Sequence, residues 1–294
     1  MAELRVGIVG AGWIAGTHAA ALRELDGVAL VASADVVPGR ASYGDWREML
    51  ARERLDAVLV CTPPDAHREV VEGAAEAGVA IYLEKPVAHS MDDARALRSA
   101  VEAAGVVCAV GYQYRAISFL ADLPRDASLL LGTGVSDTVQ RAWLGDRARG
   151  GSMVLERASH LIDLELALGG DVESVSAVEA GDAVSLALRF ASGALGSVVV
   201  GRAAGGPGWR LELAGDDGTV TVELDPHFRA HGAGMELAHD GPPPLRLSLA
   251  CFVDAAARRD PSAVCCSVAD GVATLAVALA AQESSQRGAA VALA

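Results

Sequence analysis

Lysine is almost missing from this 294-residue chain: of 24 cationic side chains, all but Lys85 are Arg. Arg keeps its proton in a protein. A Lys ammonium can release one when burial or a neighbouring cation lowers its pKa, so the one lysine retained is a candidate proton shuttle; survival by chance is the bland alternative. Basic clusters are missing too. With a formal charge of −14 and no block of Arg, the composition argues against nucleic acid or an anionic membrane surface as partner, and any phosphate must be held by local geometry. No apolar stretch reaches the ~18 residues of a membrane span, and the N-terminus enters a strand-like run at Leu4 without a signal-peptide pattern. A cytoplasmic protein is expected. The cysteines, Cys61, Cys108, Cys251, Cys265 and Cys266, are odd in number and lack the C-x-x-C spacing of zinc sites, so they read as reduced thiols and no metal is expected.

What is present fits a globular protein of two domains, given half the residues apolar and ~100 to 200 residues per domain. Up to about residue 117, apolar runs (4–9, 28–34, 57–61, 79–83, 106–110) alternate with amphipathic stretches at 66–77 and 90–104, the latter opened by a Ser90-x-x-Asp93 cap. That alternation predicts a parallel, doubly wound α/β sheet. From 118 to 294 the pattern changes to a helix at 152–168 and strand-like runs at 172–178, 183–190, 194–200, 210–214 and 219–224, with helices near 247–259 and 270–286. Turn signals at Ala191-Ser192-Gly193 and Asp216-Asp217-Gly218 make this second domain α+β, with a mostly antiparallel sheet.

The first run ends in Gly10-Ala11-Gly12-Trp13-Ile14-Ala15, a G-x-G-x-x-A pattern opening a helix. Gly10 allows the tight turn, Gly12 lets a pyrophosphate approach the backbone, and small Ala15 permits close helix–strand packing. Asp35 ends the second run, where a ribose-binding acid belongs. Such an acid accepts the 2'-hydroxyl of NAD and repels the 2'-phosphate of NADP; Arg40 keeps NADP open. Thr62, Pro63 and His67 follow the third run and Glu84-Lys85-Pro86 the fourth, both at strand ends where ligands bind in such sheets. For His67 an exposed first-turn helix residue is the alternative. On the helix at 152–168, Glu156, His160 and Asp163 fall at i, i+4 and i+7, and a carboxylate one turn from an imidazole can orient it for acid/base work. A solvated helix face is the competing reading, although Arg157 and Glu165 lie off the stripe and Gly150-Gly151 precede it.

Together with His18, Gly111-Tyr112-Gln113, His160-Leu161-Ile162-Asp163 and Phe252-Val253-Asp254, these motifs resemble the Gfo/Idh/MocA oxidoreductase family along nearly the whole chain. The resemblance implies a Rossmann domain followed by an open-faced sheet domain. It also implies hydride transfer between a nicotinamide and a hydroxyl or carbonyl of a sugar, sugar nucleotide or inositol. By carry-over, Lys85 and His160 handle protons with Glu156 as the supporting acid, and Gly10, Gly12, Trp13, Ile14, Asp35, Thr62, Pro63, His67, Glu84, Lys85 and Gln113 line the cofactor. Dimers or tetramers through the outer sheet face are expected.

Two departures stand out. Glu156 occupies a position where the family usually has Asp, and 36–56 holds a single helix, 46–54, where the family fits a helix, a strand and another helix. The wall beside the adenosine should be thinner. Imine or conjugated double-bond reduction, and NAD-assisted elimination, remain open on the same scaffold. So does a nucleotide-sensing or scaffold protein that has kept the fold and lost its chemistry.

Overall fold

Runs that are apolar at every position can leave neither face in water, and those that open the chain lie side by side in a parallel sheet. A computed structural model of the chain describes residues 3–136, 152–202 and 208–293. It begins with β1 (Leu4–Val9), α1 (Trp13–Leu22), β2 (Val28–Ala34), α2 (Trp46–Arg52), β3 (Ala57–Val60), α3 (His67–Glu76), β4 (Ala80–Leu83), α4 (Met91–Ala104) and β5 (Cys108–Val110). Strand order is β2-β1-β3-β4-β5, all parallel. The order reverses at β1, the switch point at which such sheets open a ligand crevice beyond the strand carboxyl ends. Local chemistry sets the helix ends: Ser90 Oγ accepts the Asp93 N–H at 3.2 Å, and Gly105 closes α4 in the left-handed conformation. Between β2 and β3, α2 is accompanied only by an isolated bridge from Ala34 to Tyr43, which leaves β2 as the sheet edge.

The chain continues through β6 (Leu129–Ser136), α5 (Ser159–Gly169), β7 (Val172–Ala180), β8 (Ala183–Phe190), β9 (Leu195–Arg202), β10 (Gly208–Gly215), β11 (Gly218–Asp225), β12 (Arg229–Gly232) and β13 (Met235–Ala238). It ends with α6 (Pro244–Arg258), α7 (Val268–Arg287) and β14 (Val291–Ala292). Among the described residues these strands form one sheet, ordered β13-β12-β11-β10-β6-β9-β8-β7-β14, antiparallel except for the parallel pair β6–β9. Burial alternates strictly along β8, with Val184, Leu186, Leu188 and Phe190 inward. The opposite face is open and apolar around Leu131, Leu195 and Val199.

The middle strand β6 is not among the expected runs because Gly132 and Gly134 interrupt its pattern. Both glycines are there for space. A Cβ on Gly134 would fall 2.8 Å from the Trp209 ring, and one on Gly132 would fall 3.0 Å from Glu165 Oε1. Glu165, on α5, is completely buried: Oε1 accepts the Gly132 N–H at 3.1 Å, and Oε2 has no hydrogen-bond partner among the described residues. Burial pushes its carboxyl well above the usual range. An acid with a raised folded pKa favours the fold while both states are protonated, below about pH 4.3, and that advantage is lost as pH rises toward the folded pKa. Glu165→Gln is therefore expected to stabilise the protein at pH 7 by about 1–3 kcal/mol. Thermal unfolding of both proteins from pH 4 to 8 checks this: the gap should close at the acid end, and a pH-independent gap would refute it.

Contacts divide the chain into two compact units, one of residues up to Ala116 with Pro242–Val272, the other Ile117–Gly241 with Ala273–Ala294. This differs from the single break expected after residue 117. The reason is the inner face of α6: Leu249, Phe252 and Ala255 are buried in one core with Leu22, Leu59 and Tyr82. Each such large side chain contributes about 1.5–3 kcal/mol on burial, enough to hold the returning helix to the first unit.

Candidate active site

The glycine turn of the first unit is built by backbone constraint. Gly10 has φ +89°, and a Cβ there would stand 2.8 Å from the Cys61 carbonyl group and the Thr62 nitrogen, so no other residue fits. Asp35 braces the same turn, with Oδ2 accepting the Ala11 N–H at 2.7 Å and Oδ1 the Val37 N–H at 2.8 Å. Each oxygen keeps a further lone pair, which is what a ribose hydroxyl needs.

Gly12 caps α1 without a side-chain hydrogen bond, no acid occupies the first turn, and a Cβ on Gly12 would meet nothing within 4 Å. The helix therefore presents amides and a positive dipole end to open space, as a pyrophosphate requires. Trp13 is 68 % exposed at its mouth, while Ile14 packs against the core and has its main chain to offer. On the adjacent strand end Thr62 Oγ1 is buried with no hydrogen-bond partner among the described residues, next to half-buried Pro63. These residues fit a dinucleotide.

Two of the expected ligand residues turn inward instead. His67 is fully buried, Nε2 lying 2.8 Å from Thr62 O and Nδ1 3.1 Å from Val87 O. It is not an exposed helix residue: the ring ties the loop after β3 to the loop after β4. Burial lowers its pKa, against the pull of the two carbonyls and Glu84.

Glu84 is likewise turned inward, onto His18 and the Lys85 peptide. Its Oε1 lies 2.6 Å from His18 Nε2 and its Oε2 accepts the Lys85 N–H at 3.2 Å. Burial pushes the Glu84 carboxyl up, but the His18 hydrogen bond and the charges of His18 and Lys85 outweigh it, so the group stays ionised and His18 donates. Gly111 makes room: a Cβ there would be 3.1 Å from Glu84 Oε1. Tyr82 stacks edge-on to His18 at 5.3 Å and to Phe252 of α6 at 5.6 Å. His18 is the residue whose role sequence reasoning missed; an apolar stretch of α1 interrupted by one imidazole was the available signal.

Lys85 is half-buried at the carboxyl end of β4, and Gln113 is half-buried at the start of a 3-10 turn after β5. Cys61 is a buried thiol whose pKa burial pushes well up, so it is inert.

In the second unit the expected helix begins differently. Val154–Ala158 forms a π turn, and α5 starts only at Ser159. Leu155 N–H donates to Ser152 Oγ at 3.0 Å, and Ser159 Oγ to Leu155 O at 2.6 Å. Glu156 therefore sits in the π turn and His160 in the α-helix, both half-buried. The His160 ring meets Trp209 edge-on at 6.1 Å.

Asp163 leaves the predicted stripe. It is buried and accepts a hydrogen bond from Thr274 Oγ1 at 3.1 Å. Gly150-Gly151 lie outside the described residues.

A parallel sheet with a glycine turn braced by an acid at the end of the next strand defines a dinucleotide-binding protein. Residues 4–112 match the model of the oxidoreductase family with an NAD-binding Rossmann fold, and 130–221 match the GFO/IDH/MocA C-terminal domain. D-apiose dehydrogenase of Paraburkholderia graminis is 30% identical over 81% of this chain and 72% of its own. Inositol 2-dehydrogenase of Rhizobium meliloti is 31% identical over 75% of this chain and 76% of its own. Among solved structures, levoglucosan dehydrogenase in complex with NADH and levoglucosan superposes with a TM-score of 0.87 at 22% identity, covering 99% of each chain. The chain belongs to the Gfo/Idh/MocA family and is an NAD-dependent oxidoreductase.

Proposed function

We propose that the chain interconverts a secondary alcohol and its ketone on a sugar-like or inositol-like ring, with Lys85, His160 and Glu156 as its catalytic residues. The observation that carries the reading is Lys85 itself, the single lysine, at the carboxyl end of β4 on the same sheet edge as the glycine turn after β1, its peptide N–H held by a buried carboxylate that His18 in turn holds. NAD, when bound, supplies the hydride acceptor or donor. Gly10 and Gly12 admit the pyrophosphate and Asp35 accepts from the ribose. Thr62, Pro63 and Gln113 line its path. In oxidation His160 takes the hydroxyl proton while Lys85 donates a hydrogen bond to the reacting oxygen; in reduction the proton moves back. Glu156 orients His160. The named relatives support the substrate class, since they act on apiose and inositol. Rates of nicotinamide reduction across sugars, inositols and sugar nucleotides test it, and no turnover with any cyclic polyol would overturn it.

NAD rather than NADP is the expected cofactor, on the strength of Asp35. Titrating protein fluorescence with NADH and NADPH should show NADH binding at least tenfold tighter, the factor that about 1.4 kcal/mol provides. Asp35→Ala should narrow that ratio, and equal affinities in the parent protein would assign selectivity to Arg40 or another cation. A homo-oligomer is part of the same reading, supported by the open apolar face at Leu131, Leu195 and Val199.

A further inference from the structure

A proton acceptor has to be aimed as well as present, because a misplacement of about 1 Å costs on the order of 10²-fold in rate. For His160 the backbone of α5 fixes only where the side chain starts. The χ2 torsion of a histidine is broad and roughly two-fold, so neither the helix nor a rotamer preference sets the plane of the imidazole. That plane has to be set by what packs against the ring.

Trp209 packs there. It is the second residue of β10, buried on the inner face of the sheet, whereas the next two inward positions of the strand, Leu211 and Leu213, are aliphatic. Its ring meets the His160 ring at 6.1 Å with 78° between the planes, the T-shaped arrangement that the quadrupoles of two aromatic rings favour. Both residues belong to the second unit, so the contact lies within one compact body.

The indole is itself seated. Trp209 stands opposite Gly134 of β6 on one side and Asp225 of β11 on the other. A Cβ on Gly134 would stand 2.8 Å from Trp209 Cε3 and Cζ3 and 3.1 Å from Cδ2, so the six-membered ring fills the space that any side chain at 134 would take. With two side-chain torsions and that seat, the indole is a rigid wall. The neighbouring inward glycine of β6 brings the helix close: a Cβ on Gly132 would stand 3.3 Å from Leu161 Cβ and Cδ1, one residue beyond His160. One glycine of β6 thus seats the ring that meets His160, and the other seats the turn of α5 that carries it.

We propose that Trp209 is a positioning residue for the hydride-transfer reaction: seated on Gly134, it fixes the plane of the His160 imidazole so that a ring nitrogen is aimed at the substrate hydroxyl. The role rests on the reading of His160 as the acid/base group, and Trp209 acts through that ring rather than on the substrate.

The test uses the full-length protein with NAD and the cyclic polyol that the screen above finds fastest. Trp209→Leu removes the aromatic ring, and Gly134→Ala keeps the indole but pushes it off its seat. Each should lower kcat by about ten- to a hundredfold while leaving the KM for the polyol and the affinity for NADH within about threefold of the parent. Trp209→Phe, which restores an aromatic ring, should recover most of the lost kcat. A second measurement needs no turnover. The imidazole C–H resonances of His160, identified as those missing from His160→Asn, should carry an indole ring-current displacement that disappears in Trp209→Leu while the other histidines hold their positions. Parental kcat in Trp209→Leu or Gly134→Ala, a loss as large in Trp209→Phe as in Trp209→Leu, or a His160 resonance that does not move would each overturn the proposal. A silent His160→Asn would instead overturn the reading of His160 as the acid/base group, and the proposal with it.

Discussion

Lys85→Arg is expected to bind NADH within a few-fold of the parent protein and to lose about 10²- to 10⁴-fold in turnover, the range that positioned acid–base groups contribute. The charge survives the exchange, so electrostatic attraction for the cofactor does too. What changes is chemistry and reach. A planar guanidinium keeps its proton and spreads its donors over a fork, whereas a compact ammonium presents one charge and a proton it can give up. The position leaves little freedom to adapt, because the preceding Glu84 is clamped by His18 and flanked by Gly111. Steady-state kinetics beside NADH titration separates the two effects. Near-native turnover in this variant would remove Lys85 from proton handling, and weakened NADH binding in proportion to turnover would make it a cofactor ligand alone.

His160→Asn is expected to lower turnover by about 10²-fold or more and to remove one limb of the pH–rate profile, since the amide keeps a hydrogen-bonding shape but cannot titrate. Losing the edge contact with Trp209 should alter stability by about 1 kcal/mol, small beside that kinetic loss. An unchanged profile would place the base elsewhere. Glu156 is tested on the same footing. Its side chain is one methylene longer than the aspartate usual in the family, and a π turn, which adds a residue to the helical ring, is the kind of backbone adjustment that would accommodate it. If that is its purpose, Glu156→Asp lowers turnover with little effect on thermal stability, and a silent Glu156→Gln would dissolve the pairing with His160.

The first unit was legible because its signals are local and redundant: fully apolar runs, a glycine turn that only one residue type can make, and a serine cap on α4. Burial direction was not. His67 and Glu84 stand beside strand ends exactly as ligands would in sequence, and only the three-dimensional neighbours Val87 O and His18 reveal that both face inward. The second unit lost its middle strand to Gly132 and Gly134, which read as breaks although they are the space that Glu165 and Trp209 fill. The short strands β12 and β13 carry too few residues for a periodic pattern. Nor does any local pattern say that α6 returns to a unit that began more than a hundred residues earlier, since a helix's apolar face does not name the surface that covers it.

That return has a bearing on how the protein is made. While the ribosome is still working through the second unit, the first has all its strands but lacks the helix that covers Tyr82 and Leu22. At ~5–20 residues per second, translation from residue 117 to residue 258, the end of that helix, leaves the surface bare for roughly 7 to 28 s. A nascent chain in this interval carries an uncovered apolar seam of its own, a natural site for chaperone engagement. Expressing residues 1–117 alone would make the gap permanent.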